Sequence, residues 1–429
     1  MTSKKWIFLF TLVYLTLSVI LYFQVPNVFS HQDMDSRAYI GNALVFCNDS
    51  GFGAMSHMPT YALGYPMFVG LIYKVFGVHN FYVVLIQLLL ALFSGFLIFN
   101  IAKRIFNDKV ALISFALFSI NLGYLVFPQL VLTDMLLSFL LLWAFERFVL
   151  FVQNKKMFIL AQSAFLFGLS AIVKPAALYY IFFLLLFLII YLGGFKENKL
   201  NIVALLLCFY LPIVGYVTHN KVVFNKCCVS RLAQDLLHVF LYSKVRAVET
   251  GKSAKEEMAF LMREQPDEVK RLFDASLKQH PEIFFYVWFQ NVAKSLFGLF
   301  ASNLKVLVDA QARGSAISFF YQQGSIFQKI HGYITMCTAL KWVYVVGYLE
   351  AIWTLIRYIL VLVALIYMLF RKQYVWLFLL LSYLFYFSII TGFDGCSRYR
   401  MMFEFVLIIL SASGIYNLSE FFYNKKNIV

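Results

Sequence analysis

Apolar runs of about twenty residues alternate with short polar connections along this chain, and basic residues gather at every second connection. A run of that length is what a helix needs to cross the roughly 30 Å hydrocarbon layer of a bilayer. The first run, Trp6 to Phe23, follows Lys4-Lys5, is long for a signal segment and has no small-residue cleavage site. It therefore reads as an uncleaved first span that starts on the cytoplasmic side. Residues 24–77 then fall outside. Span two (81–102) ends at Lys103-Arg104, span three (110–127) returns outward, and span four runs from Asp134 to Lys155-Lys156. Span five starts at Met157 and emerges at Lys174-Pro175, span six ends at Lys196 and Lys199, and span seven covers 200–218. Spans eight (348–370), nine (374–390) and ten (401–422) follow, with Arg371-Lys372 and Lys425-Lys426 inside.

This pattern predicts an all-α polytopic membrane protein of about ten spans, with both termini cytoplasmic. Three units follow: an N-terminal membrane module (1–218) with a large first outer loop (24–77), an outer-face helical region (219–341), and C-terminal spans (342–429). In the first loop, Pro66 to Gly77 is apolar but only about a dozen residues long, which suits a helix lying in the interface. Glu256 to Lys278 is charged on all sides and reads as a solvated outer helix. Residues 281–300 are long enough to cross, but a crossing would put Arg371-Lys372 outside, so they read as an interfacial helix carrying Lys294.

Composition agrees: 62% of the 429 residues are hydrophobic, 13% are charged, and the mean hydropathy is +0.79. A soluble domain carries about 25% charge. The net charge of +15 is then explained by basic inner loops rather than by a nucleic-acid partner. The six cysteines show no zinc or redox spacing, since Cys227 and Cys228 are adjacent.

Candidate chemistry lies on the other side. The inner loops are basic with few acids, whereas the outer ones mix signs: Asp33, Asp35, Arg37, His57, Asp134, Lys174, Asp394, Arg398 and Arg400. Each also has a structural reading. Asp134 with Thr133 could cap the fourth helix, Lys174 could snorkel to the interface, Arg398 and Arg400 could hold lipid headgroups, and Arg400 could pair with Glu404 one turn on. Arg357 lies inside the eighth span, about 20 Å above Arg371 at 1.5 Å per residue. Burying it costs roughly 2.5–3.5 kcal/mol or more, so it should face a polar cavity, for which a phosphate is one reason.

Asp35-Ser-Arg-Ala-Tyr39, Pro59, Gly64-Tyr65-Pro66, Thr133-Asp134, Lys174-Pro175, His280-Pro281 and Arg398-Tyr399-Arg400 stand in an order that resembles the GT-C glycosyltransferases using polyprenyl-phosphate sugars. These include protein O-mannosyltransferases and lipid A aminoarabinose transferases. The chain departs from the pattern at Ser36, where an acid is usual, and lacks a large C-terminal outer domain. The resemblance implies an inverting transfer of a hexosyl or pentosyl group from a polyprenyl-phosphate carrier to a hydroxyl of a glycan, lipid or protein, at the outer face of a bacterial inner membrane. It implies Asp35 as the base; from the chemistry itself, Lys174, Arg357, Arg398, Arg400, Arg37 and His57 are the candidate cations for the departing phosphate, and Asp33 and Asp134 complete the candidate substrate contacts. Asp33-Met-Asp35 also has the D-x-D spacing that leaves room for a divalent ion such as Mg²⁺. Two rivals compete: an O-antigen-type polymerase or ligase, with its key cations in the late loop, and a lipid-linked glycan transporter, which would place ionisable groups near the midplane.

Overall fold

The apolar runs fold as helices, and the computed structural model contains no strand among the residues it describes. Those are residues 3–25, 34–48, 61–191, 193–194, 198–230, 232, 236–309, 324–335, 338 and 340–426. Asp33, His57 and Pro59 of the first loop lie outside them.

Seven helices are long and apolar enough to cross a bilayer: Lys4–Gln24, Asn80–Ile105, Thr133–Asn154, Lys199–Phe224, Lys341–Phe370, Tyr374–Phe393 and Glu404–Tyr423. Two bent pairs raise the number to nine. One of them, Asp108–Ser119 with Leu122–Gln129, breaks by 52° where Asn121 accepts the Tyr124 N–H and opens a new helix. The other, Pro281–Phe297 with Ala301–Val308, breaks by 72° in the stretch expected to lie in the interface. Expected spans five and six are the shorter apolar helices Met157–Val173 and Pro175–Tyr191.

Aromatic and branched side chains fill one continuous core, while Phe8, Phe23, Phe93, Leu207, Ile359 and Phe370 face outward from the spans, as lipid contact requires. The Thr133–Asn154 helix packs on Met157–Val173, which packs on Lys199–Phe224, and the Lys341–Phe370 and Glu404–Lys426 helices pair. At Gly168 a Cβ would run into the Phe209 backbone, so glycine there permits the close approach of two spans.

Met34–Asn48 and Gly64–Phe76 pack on each other, and the second also leans on Met157–Val173. The charged region folds separately: Tyr242–Thr250, Ala254–Leu261, Pro266–Gln279 and Pro281–Phe297 enclose a small core of Leu241, Tyr242, Val245, Leu261, Val269, Phe273, Phe284 and Val287. This cap sits at the Thr133 end of the bundle, because its Lys244 contacts Asp394 beside the residues that gather there. Asn154 closes the same helix at the opposite end, about 30 Å away at 1.5 Å per residue. Both Lys252 and Asn154 are exposed. A membrane-impermeant thiol reagent should therefore label Lys252→Cys and Asn154→Cys from opposite sides of sealed vesicles; labelling of both from one side would refute the arrangement.

Candidate functional site

Five elements converge at the Thr133 end. Met34–Asn48 supplies Asp35 in its first turn, and Thr133–Asn154 supplies Asp134 in its own. Lys174 stands at the end of Met157–Val173, where Pro175 stops the helix and starts a 3₁₀ turn. The 3₁₀ turn Ser397–Met402 brings Arg398 and Tyr399, and Tyr61 enters just ahead of Gly64–Phe76.

The charges alternate in sign. Arg398 donates from Nη1 to Asp35 Oδ2 at 2.9 Å, and its Nε lies 3.6 Å from Asp134 Oδ2. Lys174 Nζ lies 3.6 Å from Asp134 Oδ1 and 4.3 Å from the centre of the Tyr399 ring. The Tyr61 hydroxyl donates to Asp35 Oδ1 at 2.6 Å. Asp134 is buried at 2% exposure, whereas the Asp35 side chain keeps 23%. Of the two carboxylates, only Asp35 is open to an incoming molecule.

Asp134 is not a cap: Leu132 holds that position without a side-chain bond, and the Asp134 carboxylate turns to the two cations. Its approach is fixed from behind, where Tyr65 donates to Gln87, whose amide donates to the carbonyls of Pro128 and Leu130. Burial pushes the Asp35 carboxyl up, but the Arg398 guanidinium and the Tyr61 hydroxyl outweigh it, so the group is held below the usual carboxylate range.

Lys174 Nζ and Arg398 Nε are sealed from solvent, and each faces an Asp134 oxygen at 3.6 Å, an ion-pair distance too long for a good hydrogen bond. Buried donors in that condition are costly and call for a partner. Beside Lys174 opens a cavity of about 600 Å³. Lys174, Asp394 and Tyr399 form its polar edge, and Leu178, Ile213 and Phe393 are among its apolar walls. An anionic head on an apolar tail matches that lining.

Other residues expected at the site go elsewhere. Arg37 is exposed, on the same helix as Asp35. Arg357 and Arg400 enter a second, deeper network, where Arg357 Nη1 meets Glu404 Oε1 at 2.7 Å and Arg400 Nε meets Glu404 Oε2 at 2.9 Å. Asn121 also donates to Glu404. Arg400 further donates to the carbonyls of Leu296 and Gly298, while Glu350 accepts the N–H groups of Phe300 and Ala301. Together they satisfy both helix ends at the 72° break. A divalent ion at the D-x-D pair would need Asp33, outside the described residues, and would meet an Asp35 whose two oxygens already accept from Tyr61 and Arg398. No group of three His, Cys, Asp or Glu residues suited to a metal forms among the described residues.

Tyr61 and Lys244 are additions to the site, while Asp394, one of the mixed outer charges, and Tyr399, from the Arg398-Tyr399-Arg400 motif, take parts in it not assigned from the sequence. Lys244 donates to Asp394 Oδ1 at 2.8 Å and to its carbonyl at 2.5 Å, and the Tyr399 hydroxyl donates to Asp394 Oδ2 at 3.2 Å. Asp394 and Tyr399 adjoin Arg398 in sequence, which was the available signal; Lys244, 150 residues away, had none.

Residues 60–216 match the family model described as dolichyl-phosphate-mannose-protein mannosyltransferase. No curated protein sequence matches the chain. Among solved structures, the archaeal oligosaccharyltransferase AglB from Archaeoglobus fulgidus, in complex with an inhibitory peptide and a dolichol-phosphate, aligns at 13% identity and a TM-score of 0.56, over 99% of this chain and 52% of its own. Its apo form aligns at 12% identity and 0.57, over 99% and 52%. ArnT from Cupriavidus metallidurans, bound to undecaprenyl phosphate, aligns at 11% identity and 0.40, over 96% and 78%. The chain spans about half the length of the oligosaccharyltransferase, whose transmembrane-type fold it shares.

The deeper network generates a stability prediction. Glu404→Ala leaves two buried guanidiniums without their shared carboxylate and should cost about 3–5 kcal/mol, whereas Arg37→Ala should stay within about 0.5 kcal/mol of the parent. Thermal unfolding of the purified proteins in detergent checks both, and equal melting temperatures would contradict the assignment.

Proposed function

We propose that the chain is a GT-C-type glycosyltransferase that transfers a sugar from a polyprenyl-phosphate carrier to a hydroxyl acceptor, with inversion and with Asp35 as base. The observation that carries this reading is the pair of buried cations Lys174 and Arg398, which reach Asp134 only at 3.6 Å, with Lys174 at the edge of an apolar cavity and Arg398 on the open carboxylate of Asp35. The carrier's phosphate supplies the close hydrogen bonds that Asp134 at 3.6 Å does not. The head of its tail occupies the cavity, and the rest lies along the outward apolar faces of the spans. The site works at the outer face of the membrane, and the acceptor is a glycan, a lipid or a protein.

The acceptor oxygen attacks the anomeric carbon from the side opposite the phosphate. The carbon–oxygen bond to the phosphate breaks with its electron pair on the phosphate, and the acceptor proton passes to Asp35. The leaving group already carries negative charge, so no acid is needed, in contrast to the two-carboxylate arrangement of glycosidases. Lys174 and Arg398 balance the charge that grows on the departing oxygen. As Arg398 turns toward the phosphate it releases Asp35 Oδ2, and the carboxylate becomes a stronger base when the donor is in place. Tyr61 keeps the other oxygen oriented.

Asp35→Asn should abolish release of polyprenyl phosphate from labelled polyprenyl-phosphate sugars in membranes, a loss of at least about 10²-fold, with expression and insertion unchanged. Near-parental transfer by that variant would sink the mechanism. The pH profile adds a sign. A carboxyl held below its ordinary value stays ionised as pH falls, so the acid limb of kcat/KM, which reports the free enzyme, should begin below the usual carboxylate range. In Arg398→Gln burial acts without the opposing guanidinium, and the residual activity should lose its base at higher pH. A limb that does not move would separate Arg398 from Asp35.

A further inference from the structure

The cap carries a residue that the transfer reaction does not obviously need. Lys244 lies on Tyr242–Thr250, inside a small core of its own, yet its ammonium reaches out to Asp394 with two hydrogen bonds. Asp394 sits in the turn between Tyr374–Ile390 and Ser397–Met402. The next residue, Gly395, has φ +59° and lies against the Asn291 backbone with no room for a Cβ. Asn291 in turn donates to the Gly392 carbonyl. The turn is thus clamped to the cap at three adjacent points.

From this turn the contacts continue inward without a gap. Asp394 accepts the Tyr399 hydroxyl, the Tyr399 ring lies under the Lys174 ammonium at 4.3 Å, and Lys174 faces Asp134. Resting on the function proposed above, we infer that Lys244 is a positioning residue: it fixes Asp394, so that the Tyr399 ring holds Lys174 at the polar edge of the cavity where the donor phosphate is bound. Leu236 and Leu237, just ahead of Tyr242, line the same cavity. The same cap therefore supplies apolar walls for the donor's tail and the contact that sets the cation for its head.

The chemistry explains why an indirect chain is used. A lysine with no fixed acceptor would swing away on its four-carbon stem, and a cation over an aromatic face is held by the ring quadrupole without using up a donor. The ring must then be fixed from its far end, which Asp394 does through the hydroxyl. Asp394 would itself be a competing counter-ion for Lys174 in the same cavity edge. Lys244 occupies one of its oxygens, and the carboxylate is held below its usual range, with burial opposed by that ammonium.

The test uses the full-length protein in detergent with undecaprenyl phosphate alone as probe, read by binding, and then polyprenyl-phosphate-sugar turnover in membranes. Lys244→Met should weaken binding of the probe about tenfold and raise the donor KM by a similar factor, with a smaller change in kcat. Lys244→Arg should restore most of it. Tyr399→Phe, which keeps the ring and removes the hydroxyl, should weaken binding similarly, and the double variant should be no worse than either single. Tyr61→Phe, outside this chain of contacts, should combine multiplicatively with Lys244→Met in turnover. Parental binding by a folded Lys244→Met protein, or multiplicative effects of Lys244→Met and Tyr399→Phe, would overturn the role. A Lys244→Met protein with a lowered melting temperature and failed rescue by arginine would assign Lys244 to folding and overturn it as well. If the parent protein does not bind the probe, the function proposed above falls and this role with it, whereas a parent that binds but a latch that is silent leaves the function standing.

Discussion

The alternation of Asp35, Arg398, Asp134 and Lys174 is the constraint on which the rest of this end of the molecule depends. Each of these charges alone, near the top of a bilayer span, would be costly. Set in alternate order they neutralise one another, and the cost falls only if all four arrive together. Asp35 and Arg398 are 363 residues apart, so the order also ties the first loop to the turn before the last span. The packing of Met34–Asn48 on Gly64–Phe76, and of that helix on Met157–Val173, serves to deliver the acid to the cations.

Arg398 and Arg400 show how a short turn separates chemistry from structure. In a 3₁₀ turn successive residues rotate by about 120°, so two residues on, the side chain leaves on another side. Arg398 faces the open end, with 19% of its side chain exposed, while Arg400 keeps 1% and enters the network of Glu404, Glu350 and Arg357. That network is balanced within itself, two acids to two guanidiniums. It anchors the 72° break and the turn from below, and the cap clamps the same turn from above. The segment bearing Arg398 is therefore held from both sides, which fixes its backbone while its side chain stays at the open end.

The helical class and the positions of the spans were legible because hydropathy and basic clusters carry them directly. Every expected span has its helix, although the third is broken at Asn121 and the fifth and sixth are short. The stretch 281–300 resisted reading because its break depends on partners from Lys341–Phe370 and Ser397–Met402, which no local pattern reveals. The same reason applies to Arg357 and Arg400. The cost of burying Arg357 was visible, and Glu404 was noticed as a partner for Arg400 from its spacing, but an acid shared by the two arginines was not. For Asp134 the cap position predicted from Thr133-Asp134 gave way to long-range pairing, since two cations from distant turns attract a carboxylate more strongly than free N–H groups do. Lys244 had no sequence signal because its meaning lies in a contact across 150 residues.

The site is neutralised before any donor arrives, and this bears on how transfer would be driven. Two cations face two carboxylates, so an incoming phosphate adds negative charge to a balanced cluster and must compete with Asp35 for Arg398. That competition is useful in the proposed reaction. A phosphate ester spreads its charge in the ground state, whereas the departing phosphate concentrates more of it on the oxygen that leaves. Arg398 is thus drawn furthest from Asp35 as the bond breaks, which is when the carboxylate must accept the proton. In the proposed reaction, stabilising the leaving group and strengthening the base would then be the same event, an interaction that favours the transition state over the ground state, which is the condition for raising the rate rather than merely tightening the complex.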